Sequence, residues 1–118
     1  MEHYLTIDDM LNYAVQDEYL AHSEYVAIMD KFDIDRPYSN IAKSELTHLD
    51  LLKELYDTRN ITFPTDQSSS HLIIPETLLS AAETGVVAEI NNIAMYELFL
   101  EYDLPDDVRD VFEALMNG

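Results

Sequence analysis

Glu45 and His48 stand three residues apart in Asn40-Ile41-Ala42-Lys43-Ser44-Glu45-Leu46-Thr47-His48-Leu49-Asp50-Leu51-Leu52. On a helix this spacing places a carboxylate and an imidazole one turn apart on one face. The same face carries Ile41, Leu52 and Leu55, so both groups are expected to point toward a core. Ionisable groups that face a core need partners, and a shared metal ion is a common one. Glu18 interrupts a second apolar stripe and Glu89 a third. Alone, Glu-x-x-His is frequent on surface helices, so its meaning depends on whether the other carboxylates reach the same level.

The elements that must position these groups read as helices. The chain has only two glycines and is 47% hydrophobic, with little strict alternation. Thr6-Ile7-Asp8-Asp9 is a helix start, with Thr6 as N-cap and acids in the first turn. From it Leu11, Ala14, Val15, Glu18, Ala21, His22, Tyr25, Met29 and Phe32 recur at helical spacing, giving a first helix over about 7–31. Pro37 or Tyr38 opens a second over about 38–56, with Ile41, Ser44, Glu45, His48, Leu51, Leu52 and Leu55 on one face.

A polar stretch over about 57–75, with Pro64, Ser68-Ser69-Ser70 and Pro75, is long enough to cross the length of a bundle. The third helix, about 76–102, shows Leu79, Ala82, Val86, Glu89, Ile90, Ile93, Tyr96 and Leu100 as its expected inner stripe. Gly85 within it is unfavourable by about 1 kcal/mol relative to Ala, which suggests close packing against a neighbour. Asp103-Leu104-Pro105 turns the chain into a short fourth helix, about 106–117, with Val108, Val111, Phe112 and Leu115 inward. The expected fold is all-α, a four-helix bundle of two antiparallel hairpins joined by a long crossover, in one domain over residues 1–118.

Levels along the bundle follow from the turns. The midpoint between Glu18 and Glu45 falls between Lys31 and Phe32, and that between Glu18 and His48 falls at Asp33, both in the first break. Glu18, Glu45 and His48 therefore lie at one height. The reflection of Glu89 through the last turn falls beyond Gly118. Glu113 reflects onto Tyr96, about seven residues or ~10 Å from the level of Glu89, which makes it a poor fourth-helix ligand.

Composition narrows the chemistry. With no Cys, thiolate sites, disulfides and cysteine nucleophiles are excluded, and Glu, Asp and His favour iron, manganese or zinc. With 24 acidic against 6 basic residues the net charge is −18, which repels nucleic acid and anionic membranes. No apolar run reaches the ~20 residues of a membrane span. The start Met1-Glu2-His3-Tyr4 lacks a leader, so a cytoplasmic protein is expected.

Asp17-Glu18-Tyr19-Leu20-Ala21 through Tyr25, Asn40-Ile41-Ala42-x-Ser44-Glu45-x-x-His48, and Gly85-x-x-x-Glu89 through Ile93 together resemble the ferritin-like superfamily, nearest its rubrerythrin-type domains. The resemblance is closest to an uncharacterised ferritin-like family of unknown function. It implies metal ligands at Glu18, Glu45, His48 and Glu89, with Glu45 and Glu89 bridging two iron ions, manganese or zinc being substitutes. It implies oxygen, peroxide or iron redox chemistry of the non-haem di-iron oxidoreductase type. The family's last motif ends in a His beyond Gly118, so the two-metal site is expected to be incomplete in this chain.

Plainer readings stand beside these. Glu45 with His48 can be a buried hydrogen-bonded pair, Glu18 can pair with His22, and Glu89 with Asn91 or Asn92. Tyr25 is expected in the core with a satisfied hydroxyl, and His3 and His71 at the surface. The alternative function is a metal-free helical interaction module that buries Ile90, Ile93 and Leu100 against a second copy as a homodimer.

Overall fold

A computed structural model of the protein describes residues 4–117. These form four α-helices and one short 3₁₀ turn, with no strand among the described residues. His3 lies outside them.

The helix α1 (Ile7–Phe32) starts at a reciprocal cap. Thr6 Oγ1 accepts from the Asp9 N–H at 3.0 Å, and Asp9 Oδ2 accepts from the Thr6 N–H at 3.1 Å. It ends at Asp33, whose left-handed backbone (φ 52°) turns its N–H back onto the Met29 carbonyl. Pro37 then precedes α2 (Tyr38–Thr58). A second cap sets the start of α3 (Leu78–Phe99): Thr77 Oγ1 accepts from the Ser80 N–H at 3.0 Å. That cap starts the helix at Leu78 rather than near Glu76. The last helix, α4 (Asp106–Asn117), has Asp106 and Asp107 in its first turn, where the helix dipole favours acids.

Cross-links between elements fix the directions. Leu5 N–H donates to Tyr102 Oη at 3.3 Å, tying the start of α1 to the chain just beyond α3, so these helices run antiparallel. Arg59 forks onto Asp107 at 2.9 and 3.0 Å, joining the end of α2 to the start of α4. Between α2 and α3 the connection climbs along α1. Tyr19 Oη donates to the Pro64 carbonyl at 3.0 Å, the Ser23 and Ser68 hydroxyls meet at 2.7 Å, and Lys31 Nζ donates to the Pro75 carbonyl at 2.7 Å. The centre of this connection is polar in sequence, yet Ser68 is buried, because Ser23 and the Asp66 carboxylate satisfy it. Phe63 anchors its first half by edge contacts with Tyr19 and Tyr56.

The core gathers at one end of the molecule. Met10, Leu11, Ala14 and Val15 of α1 meet Leu49, Leu52, Leu55 and Tyr56 of α2, with Tyr96, Phe99, Val108, Phe112 and Leu115 closing it. On α3 the inner face differs from the expected stripe. Ala81, Tyr96 and Phe99 are buried, whereas Leu79, Ala82, Val86, Glu89 and Ile90 are exposed. This helix is apolar almost all round, so periodicity alone does not choose its buried side. Gly85 is also not in forced close packing: a Cβ there would meet only Tyr25 Oη, at 3.8 Å.

Candidate metal centre

Where the dense core gives way, a cavity of about 210 Å³ opens between α1, α2 and α3. Its polar lining includes Asp17, Glu18, Glu24, Glu45, His48 and Glu89, and Leu115 near the end of α4 also lines it. The cap at Thr6 and the break at Asp33 set the phase of α1 and α2, and these phases bring Glu18 level with Glu45 and His48. Ligand atoms of these three residues all lie within 4.8 Å of one another. His48 Nδ1 stands 3.3 Å from Glu18 Oε2 and 3.8 Å from Glu45 Oε2. Nδ1 thus faces both carboxylates, and in the tautomer that carries its proton on Nδ1 the ring donates to Glu18.

Glu18 is the only carboxylate in the buried class among the described residues, at 2% exposure. Its second oxygen accepts from Tyr96 Oη at 3.3 Å. The carboxylate is thus clamped between α2 and α3, while Glu45 and His48 remain partly open to solvent. Its partners are His48 and Tyr96, so the pairing with His22 does not occur.

Glu89 lines the same cavity but lies exposed at its mouth, outside the group of three. Asn92 is not its partner; Asn92 Nδ2 donates to Asp17 Oδ2 at 2.5 Å. The described part of α4 adds no ligand to the group, and Glu113 is exposed. Tyr25 lies half-buried against Tyr38 with its ring lining the cavity, and His22 and His71 stand away from it.

Every resolved pKa shift among the lining residues and Tyr96 runs upward. Burial pushes up the Asp17 carboxyl, with Glu45 and Glu89 adding to the effect against the Asn92 hydrogen bond. Burial and then Asp17 raise Glu24. Burial raises Tyr25, helped by Glu89 and Glu24, and it raises Tyr96 well above the ordinary phenol range, helped by Asp17 and Glu45. Burial is the largest cause in each case, and the repulsion among Asp17, Glu24, Glu45 and Glu89 that adds to it is the part a cation relieves.

Nothing in the helical stripes marks Asp17, Glu24 or Tyr96 as site residues. Asp17 precedes Glu18 on a helix, about 100° away, so a one-stripe reading discards it. Tyr96 was legible only as a core position. Its role depends on the rotation of α3, which the pattern left open.

No protein-family model matches this chain. It is 27% identical to an uncharacterised protein of Methanocaldococcus jannaschii, an alignment that covers 87% of this chain and 63% of that relative. The chain therefore spans less than two thirds of the relative's own length. The crystal structure of a hypothetical protein from Methanococcus jannaschii DSM 2661 superimposes with a TM-score of 0.82 at 24% identity, over all of this chain and 77% of that one. The two chains share a fold.

Proposed function

We propose that this chain is a ferritin-like metal-binding protein that holds a divalent transition-metal ion between Glu18, Glu45 and His48. The observation that carries the reading is the convergence of these three ligand groups within 4.8 Å on two helices. The donor set fits the group. Two carboxylates and an imidazole, with no thiolate anywhere in the chain, suit iron, manganese or zinc. The surrounding carboxylates supply the negative potential such an ion needs.

Iron or manganese bound there would supply one-electron chemistry toward oxygen or peroxide, in line with the resemblance. The protein's part is to hold and orient. Tyr96 keeps one Glu18 oxygen turned away, so the other faces His48 and Glu45. To ligate through Nδ1, His48 must present that nitrogen without its proton, the ring hydrogen then lying on Nε2. Glu45 is partly open to solvent and lines the cavity beside the buried Glu18.

One ion fits these residues better than two. A second would draw on Glu89 and on a fourth-helix ligand that the described part of α4 does not supply. The test is metal content after purification without chelator, followed by calorimetric titration with Mn(II) and Zn(II). About one ion per chain is expected, with binding lost in Glu45→Gln and His48→Ala while helicity is unchanged. Two ions per chain would replace the single-ion reading by the two-metal one. Absent binding, or binding indifferent to both substitutions, would overturn the site.

A further inference from the structure

We infer that the cavity between α1, α2 and α3 binds a small aliphatic ammonium beside the ion site. The inference goes beyond the ion, because the cavity takes the ammonium with or without it. Size sets the scale. A dry cavity of about 150 Å³ holds a ring of about six carbons. The 210 Å³ here therefore holds about five or six heavy atoms, with room left for an ion and a water. A nucleotide or a peptide, like any drug-sized ligand, needs roughly 300 Å³ or more.

Charge sets the sign. Asp17, Glu18, Glu24, Glu45 and Glu89 line the cavity, and no Lys or Arg does. A divalent ion on Glu18, Glu45 and His48 offsets only part of that charge. An anionic ligand would find no counter-charge except the ion. A cationic one finds Glu24 and Glu89, neither of which has a hydrogen bond or an ion pair among the described residues.

Geometry decides between a second metal ion and an organic cation. A metal ion needs several oxygens drawn to one point, at about 2.0–2.6 Å. Among the described residues the group that converges in this way is Glu18, Glu45 and His48, and Asp17, Glu24 and Glu89 are not part of it. Acceptors spread around a cavity suit an ammonium, whose N–H bonds diverge.

The rest of the lining suits a carbon chain. Leu20 and Ala21 of α1, Ile41 of α2 and Ala88 of α3 supply apolar wall, and the half-buried Tyr25 supplies an aromatic ring, a surface that attracts ammonium groups. A bare metal ion would make no use of this wall. An alkylammonium uses both halves of the cavity at once.

Ligand-observed NMR and calorimetry with n-butylammonium test this, first in chelator and then after loading with one equivalent of Zn(II). One butylammonium per chain is expected in both states, weaker with Zn(II) present because two cations repel. It should bind at least ~10-fold tighter than n-butanol, and butyrate should not bind. Ala88→Leu narrows the cavity without changing charge, and Glu24→Gln removes a charge without touching an ion ligand. Each should weaken butylammonium at least ~3-fold, with the far-ultraviolet spectrum and the Zn(II) stoichiometry unchanged. If Zn(II) fails to bind, the ion reading falls and the chelator arm still decides this one. Equal binding of butanol or butyrate, butylammonium binding that does not saturate or ignores Ala88→Leu, or its displacement by a second equivalent of Zn(II) would overturn the inference. The last result would assign the remaining carboxylates to a second metal ion.

Discussion

Tyr96 Oη donates to Glu18 Oε1 at 3.3 Å and so joins α3 to the buried carboxylate of α1. Without the hydroxyl, that oxygen keeps no donor inside the protein other than what solvent supplies. Tyr96→Phe should keep the fold at a cost of about 1–2 kcal/mol. Loss of a group that orients a ligand should weaken Mn(II) or Zn(II) binding by ~10–100-fold. Thermal melts and calorimetry check both; an unchanged affinity would show that the hydroxyl does not position Glu18.

Asp17 makes metal-free stability depend on pH. Burial, reinforced by Glu45 and Glu89, raises its carboxyl above the ordinary 3.8 despite the Asn92 hydrogen bond. Between 3.8 and that raised value the folded state holds a proton that the unfolded chain has released. Stability therefore falls as pH rises through this window, and the whole penalty is present above it. Asp17→Asn keeps an acceptor for Asn92 and removes the charge. In chelator at neutral pH it should gain on the order of 1 kcal/mol, or ~4 °C in Tm, and the gain should vanish on acidification below the window. A gain independent of pH would assign the effect to something other than the buried charge.

Gly85 lies inside α3 with no positive φ and with room beside it. Gly85→Ala should stabilise the chain by about 1 kcal/mol through helix propensity alone. Denaturant unfolding measures this. Destabilisation would mean that the approach of Tyr25 is tighter than 3.8 Å and that the glycine is sterically required.

Phe112 holds α4 in place. Its ring centroid lies 5.5 Å from that of Tyr96 and 5.4 Å from that of Phe99, and it is fully buried. Phe112→Ala should cost ~3–5 kcal/mol. Hydrogen exchange should rise first in the amides of α4, ahead of those in α1 and α2. Uniform loss of protection would show that α4 unfolds together with the rest rather than as a separate edge.

Spacing alone determined that Glu45 and His48 share a helix face, and the position of the first turn put Glu18 at their height. Both follow from local geometry, since rise and residues per turn are nearly constant along a helix. The Thr6 cap was legible for the same reason: its bonds close within four residues. Which side of α3 faces inward was not legible, because that helix is apolar around its circumference and only packing against Phe112 and Glu18 selects a rotation. That rotation brings Tyr96 to Glu18, Asn92 to Asp17 and leaves Glu89 at the cavity mouth. It also turns Leu79, Val86 and Ile90 out to solvent. Contacts between distant segments depend on how all four helices share one limited core, and no local pattern in the chain encodes that choice.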